Sequence, residues 1–335
     1  MTNKNLSEIP FSVLDLAPIT EGNTAATSFK NTLALAQRVE ELGYHRYWLA
    51  EHHNMDSVAS SATAVLIGYV ANGTKTIRVG SGGIMLPNHA PLIVAEQFGT
   101  LASLFPNRID LGLGRAPGTD QPTAMALRRG RIETVQDFPA DIRTLQQLFS
   151  AENRNSKVRA IPGEGLDVPI WILGSSTDSA RLAAQMGLPY AFASHFAPAQ
   201  FLTAIDIYRR NFQASEALEK PYVMACVNVI AADTNEEAQY LSSSFLQLLK
   251  GIVTGKRSPL PPPVADVQRL LGDEVQALIH QMMYYSFIGD AQKVKDGLAK
   301  FQAAAQVDEI MVTSHIYNPA ARLHSYEVLR GAMKS

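Results

Sequence analysis

The sequence predicts an α/β fold, a closed TIM-type (β/α)8 barrel, and three observations carry that expectation. Apolar runs of strand length alternate with segments of helical periodicity along almost the whole chain. The alternation counts to eight of each, which suits a closed parallel barrel better than an open doubly wound sheet. Polar and glycine residues gather at the C-terminal ends of the expected strands, while Val, Ile, Leu and Ala fill their middles.

The first strand is read at 11–19 and the first helix at 28–42. There Phe29, Leu33, Ala36 and Val39 share one face at three- and four-residue spacing, and Gly43 stops the helix. Strands at 44–53, 76–85 and 108–115 follow, with helices at 60–71 and 90–104 between them. A polar stretch containing Gly and Pro precedes a helix at 132–149. Then come a strand at 169–174, a helix at 177–186, and strands at 189–194 and 222–231 with a helix after each. The last strand is read at 307–315 and the last helix at 320–333. Such a barrel takes about 250 residues, so 335 residues leave room for insertions. These fall at 117–131 and 251–287, the second carrying Pro261-Pro262-Pro263. No repeat or linker divides the chain, and one domain over 1–335 is expected. The second insertion follows the seventh strand and is long enough to cover the barrel mouth, as a lid would.

Composition excludes several function classes. Apolar residues make up 46% of the chain and 29 basic residues face 31 acidic ones, a net charge of −2. No basic field exists to hold nucleic acid or an anionic membrane. Residues 1–10 are polar, and no run approaches the roughly 18 apolar residues of a membrane span. The single cysteine, Cys226, forms no internal disulfide and no cysteine-based metal site. A cytoplasmic protein is expected.

In a barrel of this kind chemistry collects at the strand C-termini. Those ends read Glu51-His52-His53-Asn54, Ser81-Gly82-Gly83, Gly114-Arg115, Gly174-Ser175-Ser176, Ser194-His195, Asn228 and Ser314-His315. From residue type alone, Arg115 is either a phosphate fork or a rim arginine paired with a carboxylate. Ser175, Ser176 and Ser179 surround a helix N-terminus, where they can cap the helix, ligate an anion, or both. Glycines as dense as Gly80, Gly82 and Gly83 mark close approach by another group, unusual torsions or a bulge. The spacing Gly112-x-Gly114-x-x-x-Gly118 is one residue too long for a dinucleotide fingerprint, so no NAD(P)H site is expected. A metal site from Glu51, His52 and His53 is rejected too, because adjacent strand residues diverge.

The strings WLAEHHN (48–54), VGSGGIMLPNHAP (79–91), RIDLGLGRAPG (108–118) and AAQMGLP (183–189) occur in one order and register. Together they resemble the strand-end motifs of the bacterial luciferase-like flavin-dependent monooxygenases, over nearly the whole chain. The resemblance implies reduced FMN bound at the strand C-termini, or in one branch the deazaflavin F420. With FMN it implies O2 and a small, apolar organic substrate; with F420, hydride transfer. A flavin-binding protein without catalysis is the further alternative. Lacking an NAD(P)H site, such a protein needs a separate flavin reductase.

By the same resemblance Arg115 contacts the FMN phosphate, together with Ser175, Ser176 and Ser179. The family often has an acidic residue where Ser175 stands, so Ser175 is expected to act through its backbone. A second arginine among Arg128, Arg129 and Arg131 would complete that site. A non-proline cis peptide is expected at Gly82–Gly83, behind the flavin ring. His52 is the catalytic candidate, a group that helps hold or protonate the oxygenated flavin, with Asp120 as its weaker partner. A homodimer through helices in the 60–104 region is expected.

Overall fold

A computed structural model describes residues 4–128 and 137–334. Among the described residues nine strands, all in parallel pairings, belong to one sheet. Eight of them close on themselves in the order β1 (Phe11–Asp15), β2 (Arg46–Leu49), β3 (Arg78–Met85), β4 (Ile109–Gly114), β5 (Ile170–Gly174), β6 (Tyr190–Phe192), β7 (Val223–Ala231) and β9 (Glu309–Thr313). Closure runs through β6–β7, β7–β9 and β9–β1. This is the TIM-type (β/α)8 barrel, and β1, β2, β4, β7 and β9 are buried along their whole length, as parallel strands covered by helices must be.

The ninth strand, β8 (Ser286–Gly289), departs from the sequence reading. β7 is nine residues long: 224–228 pair with β9, and 228–231 continue past the barrel to pair with β8. Three half-buried residues and a buried glycine are too few to show a period of two, so 286–287 read as part of the insertion and 288–289 as no element. Short helices in the inserted stretches, α4 (Gln121–Arg128), α9 (Gln268–Leu271) and α10 (Asp273–Met282), were likewise not separable. Each fully buries one residue, Ala124, Leu271 and Ile279 respectively, although Val275, Leu278, Ile279 and Met282 of α10 recur at helical spacing.

The remaining helices coat the barrel. They are α1 (Ala25–Glu41), α2 (Thr63–Gly73), α3 (Pro91–Leu104), α5 (Phe138–Phe149), α6 (Thr177–Met186), α7 (Phe201–Asn211), α8 (Asn235–Thr254), α11 (Ala291–Ala305) and α12 (Pro319–Lys334). Gly43 ends the first with φ +79°, as its position after the periodic stripe implies. α8 runs through Gly251, so the second insertion leaves the helix only at Gly255.

Two buried ionic networks fix the barrel. At its lower end Arg46 bonds Asp110 at 2.8 Å and Glu309 at 3.1 Å, and Tyr222 donates to Glu309 at 2.9 Å. Asp15 on β1 accepts from Thr32, Tyr47 and Arg322, joining α1, β2 and α12. Breaking one partner of such a pair would strand a buried charge, at a cost of about 3–5 kcal/mol. Above the floor, Leu14, Trp48, Trp171, Met224 and Met311 plug the interior. The space above that plug is the site.

Candidate functional site

A cavity of about 640 Å³ opens at the C-terminal ends of the strands. Its size falls within the roughly 300–1,000 Å³ range of small-molecule and cofactor sites. The apolar plug forms its base, and Phe245, Leu249 and Ile252 of α8, with Arg257 and Met282 beyond, close over it.

One end belongs to β4 and β5. Arg115 follows β4 directly, half-buried, and makes no hydrogen bond or ion pair with any described residue. Ser175 and Ser176 lead into α6, where Ser176 is the N-cap in extended conformation with no side-chain capping bond. A guanidinium and a helix N-terminus without its side-chain cap together form a favourable setting for a phosphate. Ser179 differs from its neighbours. Its hydroxyl donates to Ser176 O at 2.7 Å and lies 2.9 Å from Tyr190 Oη, so it braces the turn. A Cβ on Gly174 would come within 1.9 Å of Ser179 Oγ, and only glycine fits there. Arg128, on α4, donates to Asn88 Oδ1 at 3.1 Å and does not line the cavity. Arg129 and Arg131 lie outside the described residues.

β3 supplies the next wall. The Gly82–Gly83 peptide is cis, and the β3–β4 register shifts between Gly82 and Ile84. Gly82 lines the cavity, while a Cβ at Gly83 would stand 2.7 Å from Gly112 O.

β2 leads into Glu51-His52-His53, and the two histidines part company. His52 faces the cavity, with Nδ1 3.2 Å from Gly118 O. A carbonyl only accepts, so Nδ1 carries the hydrogen and Nε2 keeps a lone pair. Burial lowers the His52 pKa, and the imidazole is neutral near pH 7. His53 turns the other way and donates from Nε2 to Glu51 Oε1 at 2.9 Å. His89, from the loop after β3, does the same at 2.8 Å. Burial works to raise the Glu51 pKa, but these two bonds outweigh it and hold the carboxyl below its usual range.

The divergence expected of adjacent residues therefore holds for His52 and His53, while Glu51 and His53, two apart, lie on one side and meet. Glu51, His53 and His89 form a cluster of metal-ligand type, their candidate ligand atoms within 4.8 Å of one another. His89 was not legible as a partner, being 38 residues away in sequence from Glu51.

Asp120 stands apart from the cavity. Exposed, it accepts from Thr123 N at 2.9 Å and Asn54 Nδ2 at 3.0 Å, and these bonds lower its pKa to about 2. Its position is that of a cap for α4.

The third wall, from β6, β7 and β9, carries groups named among the strand ends without a role. His195, Asn228 and His315 all line the cavity. Burial brings the His195 pKa to about 3 and the His315 pKa to about 4, and His315 stacks on Phe245 of α8 at 4.6 Å. Of the aromatic run at 282–287 only Met282 lines the cavity. Tyr284 is exposed, and Tyr285 and Phe287 pack on Phe301.

Residues 9–307 match the family described as luciferase-like monooxygenase. The chain belongs to that family. A luciferase-like monooxygenase of Escherichia coli K12 is 51% identical over 328 residues, covering 98% of this chain and 97% of the relative. The N-acetyl-S-alkylcysteine monooxygenase of Bacillus subtilis 168 is 34% identical, covering 97% and 98%. Among solved structures, apo-MsnO8 superposes with a TM-score of 0.92 at 33% identity, over 97% of this chain and 98% of that one. The luciferase-like fold is shared more distantly, at 19% identity and TM-score 0.74 over 97% of both chains, by the oxygenating constituent of a 3,6-diketocamphane monooxygenase from Pseudomonas putida in complex with FMN. An F420-dependent secondary alcohol dehydrogenase also has this fold, at 12% identity and TM-score 0.72 over 98% and 99%.

Proposed function

We propose that this family member is a flavin-dependent monooxygenase that takes up reduced FMN from a separate NAD(P)H:flavin reductase. With O2 it oxidises a small organic substrate. The observation that carries this reading is the single cavity that places Arg115 and the α6 N-terminus at one end and a neutral His52 at another.

The residues present fit the cofactor. Arg115, Ser176 and the backbone at Ser175 would hold the phosphate, and the flat backbone at Gly82–Gly83 would lie against the ring. Ser179 would contribute by bracing that turn. Bound reduced flavin supplies the two electrons with which one oxygen atom enters the substrate and the other leaves as water. The chain does the rest. Phe245, Leu249 and Ile252 exclude water from above, and Leu14, Trp48 and Met311 from below. His52 accepts a proton or hydrogen bond at Nε2 and returns it, its Nδ1 fixed on Gly118 O. Gly118, at φ +64°, is what lets that loop lie on the end of β2, where a Cβ would stand 2.9 Å from Glu51 O.

The test supplies the purified protein with FMN, NADH, a flavin reductase and 18O2, together with thioether, ketone and aldehyde candidates. One 18O atom in a product is the expected result. No labelled product from any candidate, with FMN bound, would favour a flavin-binding protein without catalysis.

A further inference from the structure

On the third wall, Asn228 is only 2% exposed. Its Nδ2 donates to His195 O at 2.7 Å and to Ser286 Oγ at 3.1 Å. Because a backbone carbonyl cannot donate, the first bond fixes which end of the amide is nitrogen. Oδ1 is thereby set as an acceptor, and it has no hydrogen-bond partner among the described residues. Buried polar atoms are paired in roughly nine cases of ten, and Asn228 lines the cavity, so its unpaired oxygen is a candidate ligand contact. Two neighbours repeat the pattern. His195 Nδ1 and Thr313 Oγ1, on the residue paired with Asn228 across β7–β9, are also buried and unpaired. Apart from His315, the rest of this side is hydrocarbon and sulfur: Met224, Cys226, Met311, Leu249.

Topology says which ligand this wall meets. In the closed order of eight strands, β7 lies across the barrel from β3. A ring lying against Gly82 on β3 leaves the β7 side to the other reactant, and Arg115 with Ser176 already serves the phosphate end. We propose that the Asn228 wall selects the organic substrate, which carries a hydrogen-bond donor, an amide N–H or a hydroxyl, on an otherwise apolar skeleton. The donor binds Asn228 Oδ1, and His195 completes the polar patch. This inference deepens the flavin monooxygenase reading and rests on it.

Matched pairs test it: N-benzylacetamide against N-benzyl-N-methylacetamide, and 1-octanol against 1-methoxyoctane. Each pair differs by replacing the donor hydrogen with methyl. Calorimetric affinities are measured without oxygen, on the protein alone and with reduced FMN. In at least one pair the donor member should bind at least about tenfold more tightly, about 1.4 kcal/mol. Which pair discriminates tells an amide from a hydroxyl. In Asn228→Leu the preference should vanish while the methylated members bind as before, with melting curves reporting that the variant is folded. Equal affinity within both pairs, including no measurable binding of any member, overturns the proposal. So does a preference that survives in Asn228→Leu. If that variant does not fold, the wild-type pairs alone decide. Failure of FMN to bind would sink the flavin reading instead, and the pairs on the protein alone would still test the wall.

Discussion

His52 and His53 are neighbours in the chain with opposite fates, and the difference is set by what each nitrogen meets. His53 is spent on Glu51, while His52 keeps one nitrogen uncommitted beside the cavity. His52→Ala should therefore leave reduced FMN affinity within about 1 kcal/mol, because only a group acting after binding is lost. Product yield per O2 consumed should fall and free peroxide should rise. A variant that binds FMN far more weakly yet couples oxygen normally would make His52 a binding contact. Arg115→Ala should do the reverse, weakening reduced FMN by about 1.5–3 kcal/mol, the worth of hydrogen bonds to a charged group. Reduced riboflavin, which has no phosphate, should lose little. Equal losses for the two ligands would mean that Arg115 does not reach the phosphate. At this scale the sequence was legible where a motif names a residue: His52, Gly82, Arg115, Ser175 and Ser176 all border one cavity. Partnerships were not legible. His89 and Asn228 take their meaning from neighbours tens of residues away, and Asp120 lies near the motif in sequence yet is used as a helix cap.

Elements were read well where burial is one-sided or complete over many residues, and poorly where it is not. The stripe of α1 and the long, largely apolar and wholly buried runs of β4 and β7 identify themselves. Three half-buried residues and a glycine in β8, and single fully buried anchors in α4, α9 and α10, do not. Helices α2 and α3 are apolar over more than the face that packs on the barrel. Val65 is 75% exposed and Leu104 65%, and Tyr69 and Ile93 are also exposed. Apolar surface of this kind on neighbouring helices marks an interface, and we propose that a second copy of the chain covers it. Light scattering at micromolar concentration should return twice the 36.5 kDa chain mass. Val65→Glu should shift the population toward the single chain. A wild-type protein of single-chain mass would refute the pairing.

For the whole molecule, burying neutral histidines in the cavity wall makes stability depend on pH. Unfolded histidine titrates near 6.5, whereas His315 and His195 are held to about 4 and about 3. Between those limits the unfolded chain binds protons that the folded chain refuses, so stability rises with pH there. It should accordingly fall as pH drops below about 6.5, by on the order of 2 kcal/mol per histidine near pH 5. Glu51 and Asp15, both held below their usual range, add to the loss at lower pH. His324, raised by Asp233 on the surface, works in the opposite direction and is exposed. Denaturant midpoints at roughly pH 7.5 and pH 5 check this, and equal midpoints would contradict it. Reduced FMN entering one cavity at the barrel mouth is the proposal on which the other roles depend, and an anaerobic titration of the purified protein checks it. Reduced FMN should bind at one equivalent per chain, more tightly than reduced riboflavin and more tightly than reduced F420. Preference for F420, or no saturable binding of FMN, would contradict the account.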